Sequence, residues 1–407
     1  MEKRNMLIAQ SGGPSAVINA TLAGVIAAAQ KSPKVDRILG SRHGVEGVLR
    51  EECIDLTDFT DLEKLKATPA MALGSCRFKL PADFSDPIYE KISKSLEDMN
   101  IGYFMYIGGN DSMDTVSKLS DYYADKPNAP VVVGLPKTID NDLPGCDHTP
   151  GFGSAARYLA MTVEELIRDI SIYALPSVTI VEIMGRDAGW LTLAAGLPRL
   201  MGGQKPDLIA IPEVAFDENA FLDFLQNRLK VTHNIIVVVS EGIRDASGAY
   251  VGSAAKSGAV DNFGHVYLSG VGKYLEGLVK RKIDCKVRSI EVNLMQRCAG
   301  HAASLSDLEE SFAVGQHGVS MAEAGVSGRM AAIQRADGEE YSYYCNSVDI
   351  KQCANKERPV PPEWFDLEDP QVREEICTYL LPLIRGAAPQ FRNEYGFADY
   401  VVFEEKE

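Results

Sequence analysis

Short apolar runs alternate with helix-period segments through most of this chain, and that alternation limits its fold more than any other feature. Met6–Ala9 precedes Ala16–Gln30, Tyr103–Ile107 precedes Ser112–Tyr123, and Val131–Val133 leads through a loop to Ser154–Tyr173. Val178–Ile183 precedes Gly189–Leu197, Leu208–Ile211 precedes Glu218–Val231, and Asn234–Val239 follows. A helix at Val271–Arg281 and a strand at Val287–Val292 come later. Such repetition predicts an α/β fold of parallel sheets with right-handed crossovers and helices on both faces. Ligands then belong in the loops at the carboxyl ends of the strands. The 407 residues are enough for two lobes. After about Ala336 the character changes to aromatics, charges and the proline group Pro359–Pro362. We read 336–407 as a C-terminal extension, helical at Pro370–Arg385.

The net charge of −16 argues against a nucleic-acid partner. It leaves a phosphorylated substrate open, because local arginines and backbone amides can hold phosphate inside an acidic protein. The eight cysteines are scattered and form no CxxC, as expected of reduced thiols in a cytoplasmic protein. Met1–Gln10 runs directly into a strand pattern, and no apolar run approaches the ~20 residues of a membrane span.

Chemistry concentrates where strands end. Val131–Pro144 reads VVVGLPKTIDNDLP, a buried strand followed by Lys137, Thr138, Asp140 and Asp142. Two carboxylates so close repel unless a metal or a proton intervenes. Asp140 is the candidate general base, with Asp142 holding a metal or orienting it; the alternative is a simple Asx-turn. The first strand ends in Ser11-Gly12-Gly13-Pro14-Ser15 before a helix, a junction where amides can approach a phosphate or merely pack tightly. Another ends in Gly108-Gly109-Asn110-Asp111-Ser112, a further glycine turn at a helix start, where the alternative is that Asp111 or Ser112 is merely a helix cap. Met184-Gly185-Arg186-Asp187 suits an anion or sugar, or a surface ion pair. Glu241, in Ser240-Glu241-Gly242, can accept from sugar hydroxyls. Arg77, Arg288 and Arg297 are isolated arginines near turns or strand ends, a position more often filled by solvated charges.

Taken in order, SGGPSAVINA, GSCRF, IGGNDS, PKTIDND, VEIMGRDAGWLTLAAGL, IPE, SEGI and LMQR resemble the phosphofructokinase family over roughly Met6–Ser304. The resemblance implies two Rossmann-like three-layer α/β/α lobes with the active site in the cleft between them. It places a donor-binding lobe at 1–150, completed by about 287–335, and a fructose 6-phosphate lobe at 151–286. It implies Mg²⁺-dependent phosphorylation of the 1-hydroxyl of fructose 6-phosphate, with Asp140 as proton acceptor. Thr138 and Ile139 then line the sugar, and Met184, Gly185, Arg186 and Glu241 bind it. Gly12 and Gly13 hold the donor, and Asn110 and Asp111 stand at the metal position. Arg77 meets the moving phosphoryl, and Arg288 and Arg297 hold the sugar phosphate, one across a subunit boundary, which implies a homodimer or homotetramer.

Asp111 and Lys137 bear on the donor. ATP-using members carry glycine at both places, and pyrophosphate-using members carry Asp and Lys. A carboxylate there adds bulk and repulsion against a nucleotide. The lysine adds a cation for a compact, highly charged donor that travels with Mg²⁺. The expectation is therefore reversible transfer from inorganic pyrophosphate. Some positions depart from the family pattern: Asn110 replaces an aspartate, Ser177 an arginine and Leu294 a histidine, with Lys273 or the loop Asp245–Val260 as possible replacements in phosphate recognition. Ala23 and Ala27 replace the effector-site arginines, so little response to ADP or phosphoenolpyruvate is expected. The alternatives are an ATP-dependent enzyme, a lipid or NAD kinase, and a non-catalytic regulatory subunit. The last should have lost Asp140 or the arginines, which are present.

Overall fold

The computed structural model describes residues 3–252 and 270–403. In chain order the strands are β1 Arg4–Gln10, β2 Val35–Ser41, β3 Cys53–Asp55, β4 Ile101–Gly108, β5 Val131–Pro136 and β6 Ser177–Ile183. They continue as β7 Leu208–Ala210, β8 Asn234–Ser240, β9 Lys286–Glu291, β10 Arg329–Arg335 and β11 Tyr343–Asp349. One sheet has the order β11-β10-β5-β4-β1-β2-β3, and the other β7-β8-β6-β9. Every pairing is parallel except β2–β3 and β10–β11, which lie at the two edges of the larger sheet.

Strand alternation builds two cores on each sheet. Met6, Ile8, Met105 and Ile107 face helices Ile18–Ala29 and Leu305–Glu323, while Leu7, Ala9, Phe104 and Tyr106 face the other side. In the smaller sheet Val181, Ile183, Ile236 and Val238 join one core, and Val178, Ile180, Ile235 and Val237 the other. Helices Ile18–Ala29 and Leu305–Glu323 approach until their backbones meet. A Cβ on Gly24 would lie 2.1 Å from the Phe312 carbonyl oxygen, and one on Gly315 would lie 2.2 Å from that of Thr21. Only glycine permits that crossing.

Sheet order also fixes where a ligand can go. From β1 the chain moves outward to β2, then returns on the other side of β1 as β4, so the order reverses between β1 and β4. In the smaller sheet it reverses between β6 and β9. Loops at such switch points splay apart and leave a crevice at the carboxyl ends.

The chain returns to the larger sheet after β9 rather than before it, through helix Leu305–Glu323 and β10. The stretch from 336, expected as an extension beyond the lobes, is built into both. β11 pairs with β10. Ile376, Leu380 and Leu383 of helix Pro370–Leu383 are buried in the smaller sheet's core together with Val360. Its helical period was legible; its partners were not. Val401 and Phe403 pack on the core of the larger sheet. Among the described residues no helix is long and apolar enough to cross a membrane, and no cysteine is in a disulfide.

Candidate active site

The loops at both switch points open onto one cavity of about 460 Å³, within the size range of small-molecule sites. The larger sheet contributes Gly12, Gly13, Arg77, Asn110, Asp111, Lys137, Thr138, Ile139, Asp140 and Asp142. The smaller contributes Met184, Arg186, Asp187, Glu241 and Arg297. Of the residues named from sequence, Gly185 sits between two lining residues. Arg288 stays outside this lining: it lies on the edge strand β9, opposite Thr179, with its side chain exposed.

The donor side is shaped by the β1, β4 and β5 loops. Gly12 has φ +84° and donates its N–H to the Cys76 carbonyl at 3.3 Å, while its own carbonyl accepts from Ser75 Oγ at 2.7 Å. These bonds bring the GSCRF turn, and hence Arg77, against the glycines. A Cβ on Gly12 would stand 3.6 Å from Lys137 Nζ, and one on Gly13 would stand 3.0 Å from an Arg297 nitrogen. The glycines thus leave room for two cations, one from each lobe. The next loop docks by Ser11 Oγ to Ser112 Oγ at 2.7 Å and Lys137 N–H to the Gly108 carbonyl at 2.8 Å.

Lys137 is 4% exposed. Burial pulls its ammonium down to about 8; Asp140 and Asp142 oppose that, and Arg297 and Arg77 reinforce it. Burial likewise pushes the Asp140 carboxyl above its ordinary range, with Lys137 and Arg186 resisting. Asp142 is pushed up to about 7, first by burial and then by the Asp140 charge. Glu241 also rises to about 7, through burial and then Asp140. Arg297 is lowered by burial and then by Arg77. Such opposed shifts in one cleft mark groups set up to handle charge and protons. Thr138 Oγ1 accepts from the Asp140 N–H at 3.1 Å and bonds the Asp142 carboxylate.

The sugar side is held by close backbone packing. A Cβ on Gly242 would overlap the Arg186 carbonyl at 1.8 Å, so the SEGI loop can press on the MGR loop only with glycine there. Gly185 N–H points at Glu241 Oε1 at 3.4 Å, and Met184 N–H at Gln296 Oε1 at 3.3 Å. Gln296 thereby sets helix Met295–Cys298 and swings its neighbour Arg297 across the cleft. Among the described groups, Arg186 Nε is buried without a hydrogen-bond partner, as befits a donor aimed at a ligand.

Asn110 ties its helix to the far end of the chain. Its Oδ1 accepts from the Asn355 N–H at 2.5 Å and its Nδ2 donates to the Lys356 carbonyl at 2.6 Å. Both ends of the amide are thus engaged with the backbone of 355–356. Ser177 bonds Asn234 at 3.0 Å, Leu294 is exposed, and Lys273 pairs with Glu276 at 3.0 Å. None of the three lines the cavity. Of the loop Asp245–Val260, residues 253–260 lie outside those described.

Sequence reasoning missed Asn355 and Glu357, which line the cavity from the far end of the chain. It also missed Asn141, which is fully buried in the left-handed region at φ +57°. Its amide accepts from Thr149 N–H at 3.1 Å and donates to Tyr379 Oη at 2.8 Å. Asparagine tolerates that backbone region, and this was the one sequence signal available.

A phosphofructokinase family model matches residues 5–321. The pyrophosphate–fructose 6-phosphate 1-phosphotransferase of Xanthomonas campestris is 40% identical over 98% of this chain and 96% of its own. The protein of the same name from Methylococcus capsulatus is 38% identical over 98% and 96%. A crystal structure of a pyrophosphate-dependent phosphofructokinase from Nitrosospira multiformis superposes with a TM-score of 0.85 at 32% identity, covering 99% of both chains. With the motif-bearing loops gathered in one interlobe cleft and these matches running nearly end to end, the chain belongs to the phosphofructokinase family.

Proposed function

We propose that this protein is a pyrophosphate-dependent 6-phosphofructokinase. It transfers a phosphoryl group reversibly from inorganic pyrophosphate to the 1-hydroxyl of fructose 6-phosphate. The observation that carries this is the presence of both Asp111 and the buried Lys137 ammonium in the lining of the cavity that also holds Gly12 and Gly13. A charged lysine there stands against the donor phosphates, while Asp111 repels a nucleotide's extension. The names of the near-full-length relatives point the same way.

In this reading Asp140 accepts the proton from the 1-hydroxyl, and Thr138 orients both aspartates. Lys137, Arg77 and the Gly12–Gly13 amides spread the charge of the moving phosphoryl. Ile139, Met184, Gly185, Arg186, Glu241 and Arg297 hold the sugar phosphate. Arg288, facing outward, serves the cleft of a neighbouring copy in a homodimer or homotetramer. The described residues contain no cluster of His, Cys, Asp or Glu able to cage a metal. Mg²⁺ keeps waters and binds through a carboxylate or two plus substrate phosphates; Asp111, with Asp142, would hold it. When bound, it neutralises charge on the donor oxygens.

The test is a coupled assay with fructose 6-phosphate, Mg²⁺ and either pyrophosphate or ATP as sole donor, run beside Asp111→Gly and Lys137→Gly. Turnover with pyrophosphate alone, lost or redirected towards ATP in the variants, is the expected result. Equal turnover with ATP in the unaltered protein refutes the donor assignment.

A further inference from the structure

We infer that Arg358, from the part of the chain beyond the family-matched region, is a positioning residue for the catalytic loop that carries Asp140 and Asp142. The inference rests on the reaction proposed above.

Between Thr138 and Thr149 the chain has left β5 and not yet begun helix Phe152–Ser171. Backbone carbonyls in such a stretch have no ladder partners, and each needs another donor if the loop is to hold one shape. Arg358 supplies several. Its Nε and one Nη reach the Asn141 carbonyl at 3.2 and 3.0 Å. The other Nη reaches those of Cys146 and Asp147 at 2.8 and 2.6 Å. Its backbone N–H meets the Asp142 carbonyl at 2.7 Å. One residue thus fixes the backbone on the C-terminal side of Asp140, including that of Asp142 itself.

The guanidinium is itself held. It lies 4.6 Å over the Trp190 ring, and the Arg358 carbonyl accepts from Trp190 Nε1 at 3.0 Å. Trp190 opens the helix that follows the MGRDAG loop, so Arg358 joins the catalytic loop to the sugar-side loop. Just before it, Asn355 N–H and the Lys356 carbonyl clasp the Asn110 amide, and Asn355 Nδ2 bonds Asp114 Oδ1 at 2.9 Å. Residues 355–358 therefore join the donor helix, the catalytic loop and the sugar loop. A planar fork with several donors is needed for three carbonyls; a lysine offers one ammonium and cannot span them.

The experiment compares Arg358→Ala and Arg358→Lys with the unaltered protein. It uses steady-state kinetics, added guanidinium ion, thermal melting, and hydrogen exchange of peptides covering 138–149. Misplacing the base by an ångström costs on the order of 100-fold. Arg358→Ala should lose kcat on that scale while KM for both substrates moves less than about threefold. Guanidinium should restore part of the activity, Arg358→Lys should not, and exchange should quicken in 138–149 but not in β1 or β4. A kcat within about threefold of the unaltered protein with only a lowered Tm shows a merely structural residue and overturns the inference. Unchanged exchange in 138–149 overturns it as well. If the unaltered protein uses ATP, only the donor assignment falls, and the kinetic comparison is made with ATP. If it uses neither donor, the proposed reaction falls, and exchange alone decides the claim for Arg358.

Discussion

Lys137→Met separates what the active site needs from what the fold prefers. The ammonium sits in a wall where burial, Arg297 and Arg77 all oppose its charge. Moving from the ordinary 10.5 to about 8 corresponds to roughly 3 kcal/mol against the charged form. A folded value below the unfolded one means the cost is full below about 8, shrinks as pH rises, and vanishes above 10.5, where both states are neutral. Methionine keeps the length and apolar stem without the charge. The variant should therefore be more stable at pH 7 by roughly 3 kcal/mol, which for 407 residues is about 4 °C in Tm. Activity should move the other way. Losing a cation preorganised for the donor phosphates costs on the order of 100-fold or more in kcat/KM for pyrophosphate. The assay is paired: melting of both proteins between pH 6.5 and 10.5, and initial rates at pH 7 with pyrophosphate varied. A Tm gap that does not narrow as pH rises past about 8 refutes the buried-charge reasoning. A kcat/KM within about threefold refutes the donor-facing role.

Two further outcomes follow from the same electrostatics. Asp140 and Asp142 titrate as a pair that must be deprotonated to accept a proton, and Lys137 must stay protonated, so kcat/KM should rise with pH through about 7 and fall through about 8. Because bound pyrophosphate favours the ammonium, the alkaline limb of kcat should lie at higher pH than that of kcat/KM; coincident limbs contradict this. Away from the cleft, His148 is fully buried between Asp147 at 2.8 Å and Glu310 at 2.5 Å. Burial pushes its imidazole down, but Glu310 and Asp147 outweigh this and hold it up at about 9. Its contribution is full below 6.5 and is lost as pH rises through about 9, so Glu310→Gln should cost about 3–5 kcal/mol at pH 6 and much less at pH 10. Urea unfolding at the two pH values checks this, and an equal deficit at both overturns it.

The central strands β1, β4, β5, β6 and β8 were legible because each is a largely apolar run buried on both faces. IIVVV in β8 and VTIVEI in β6 leave no other reading. β2, with the sequence VDRILGS, and the hairpin β10–β11 were missed. Asp36 and Arg37 fall inside β2, Arg329 and Arg335 bracket β10, and β11 opens on two exposed tyrosines and closes on Asp349. Strands of that kind owe their form to a partner rather than to their own pattern. The extension from 336 was misplaced for a related reason. Proline and charge look like a boundary, yet at Arg358 and Val360 they mark a chain crossing both lobes.

The site divides along the same physical line. Residues that meet ligands sit on glycine-rich loops at strand ends, where motif and spacing announce them, and the cavity gathers Gly12, Asp111, Lys137, Asp140, Arg186 and Arg297. Residues that hold those loops in place act through backbone carbonyls, which carry no sequence signature. Arg358 is an arginine before a proline, and nothing in that pattern says that its guanidinium meets three carbonyls 211 to 217 positions away. The division has an energetic consequence. Burial disfavours the charged forms of Lys137, Asp142 and Glu241 alike, so the cavity-lining set is strained by its own surroundings. A strained set keeps its geometry only if neighbours over-determine it. Asn141, Arg358 and Tyr379, none of which lines the cavity, do this for the catalytic loop through bonds of 2.6 to 3.4 Å. Relaxing that scaffold should therefore let the aspartates drift apart, gaining ease of folding at the expense of the reaction.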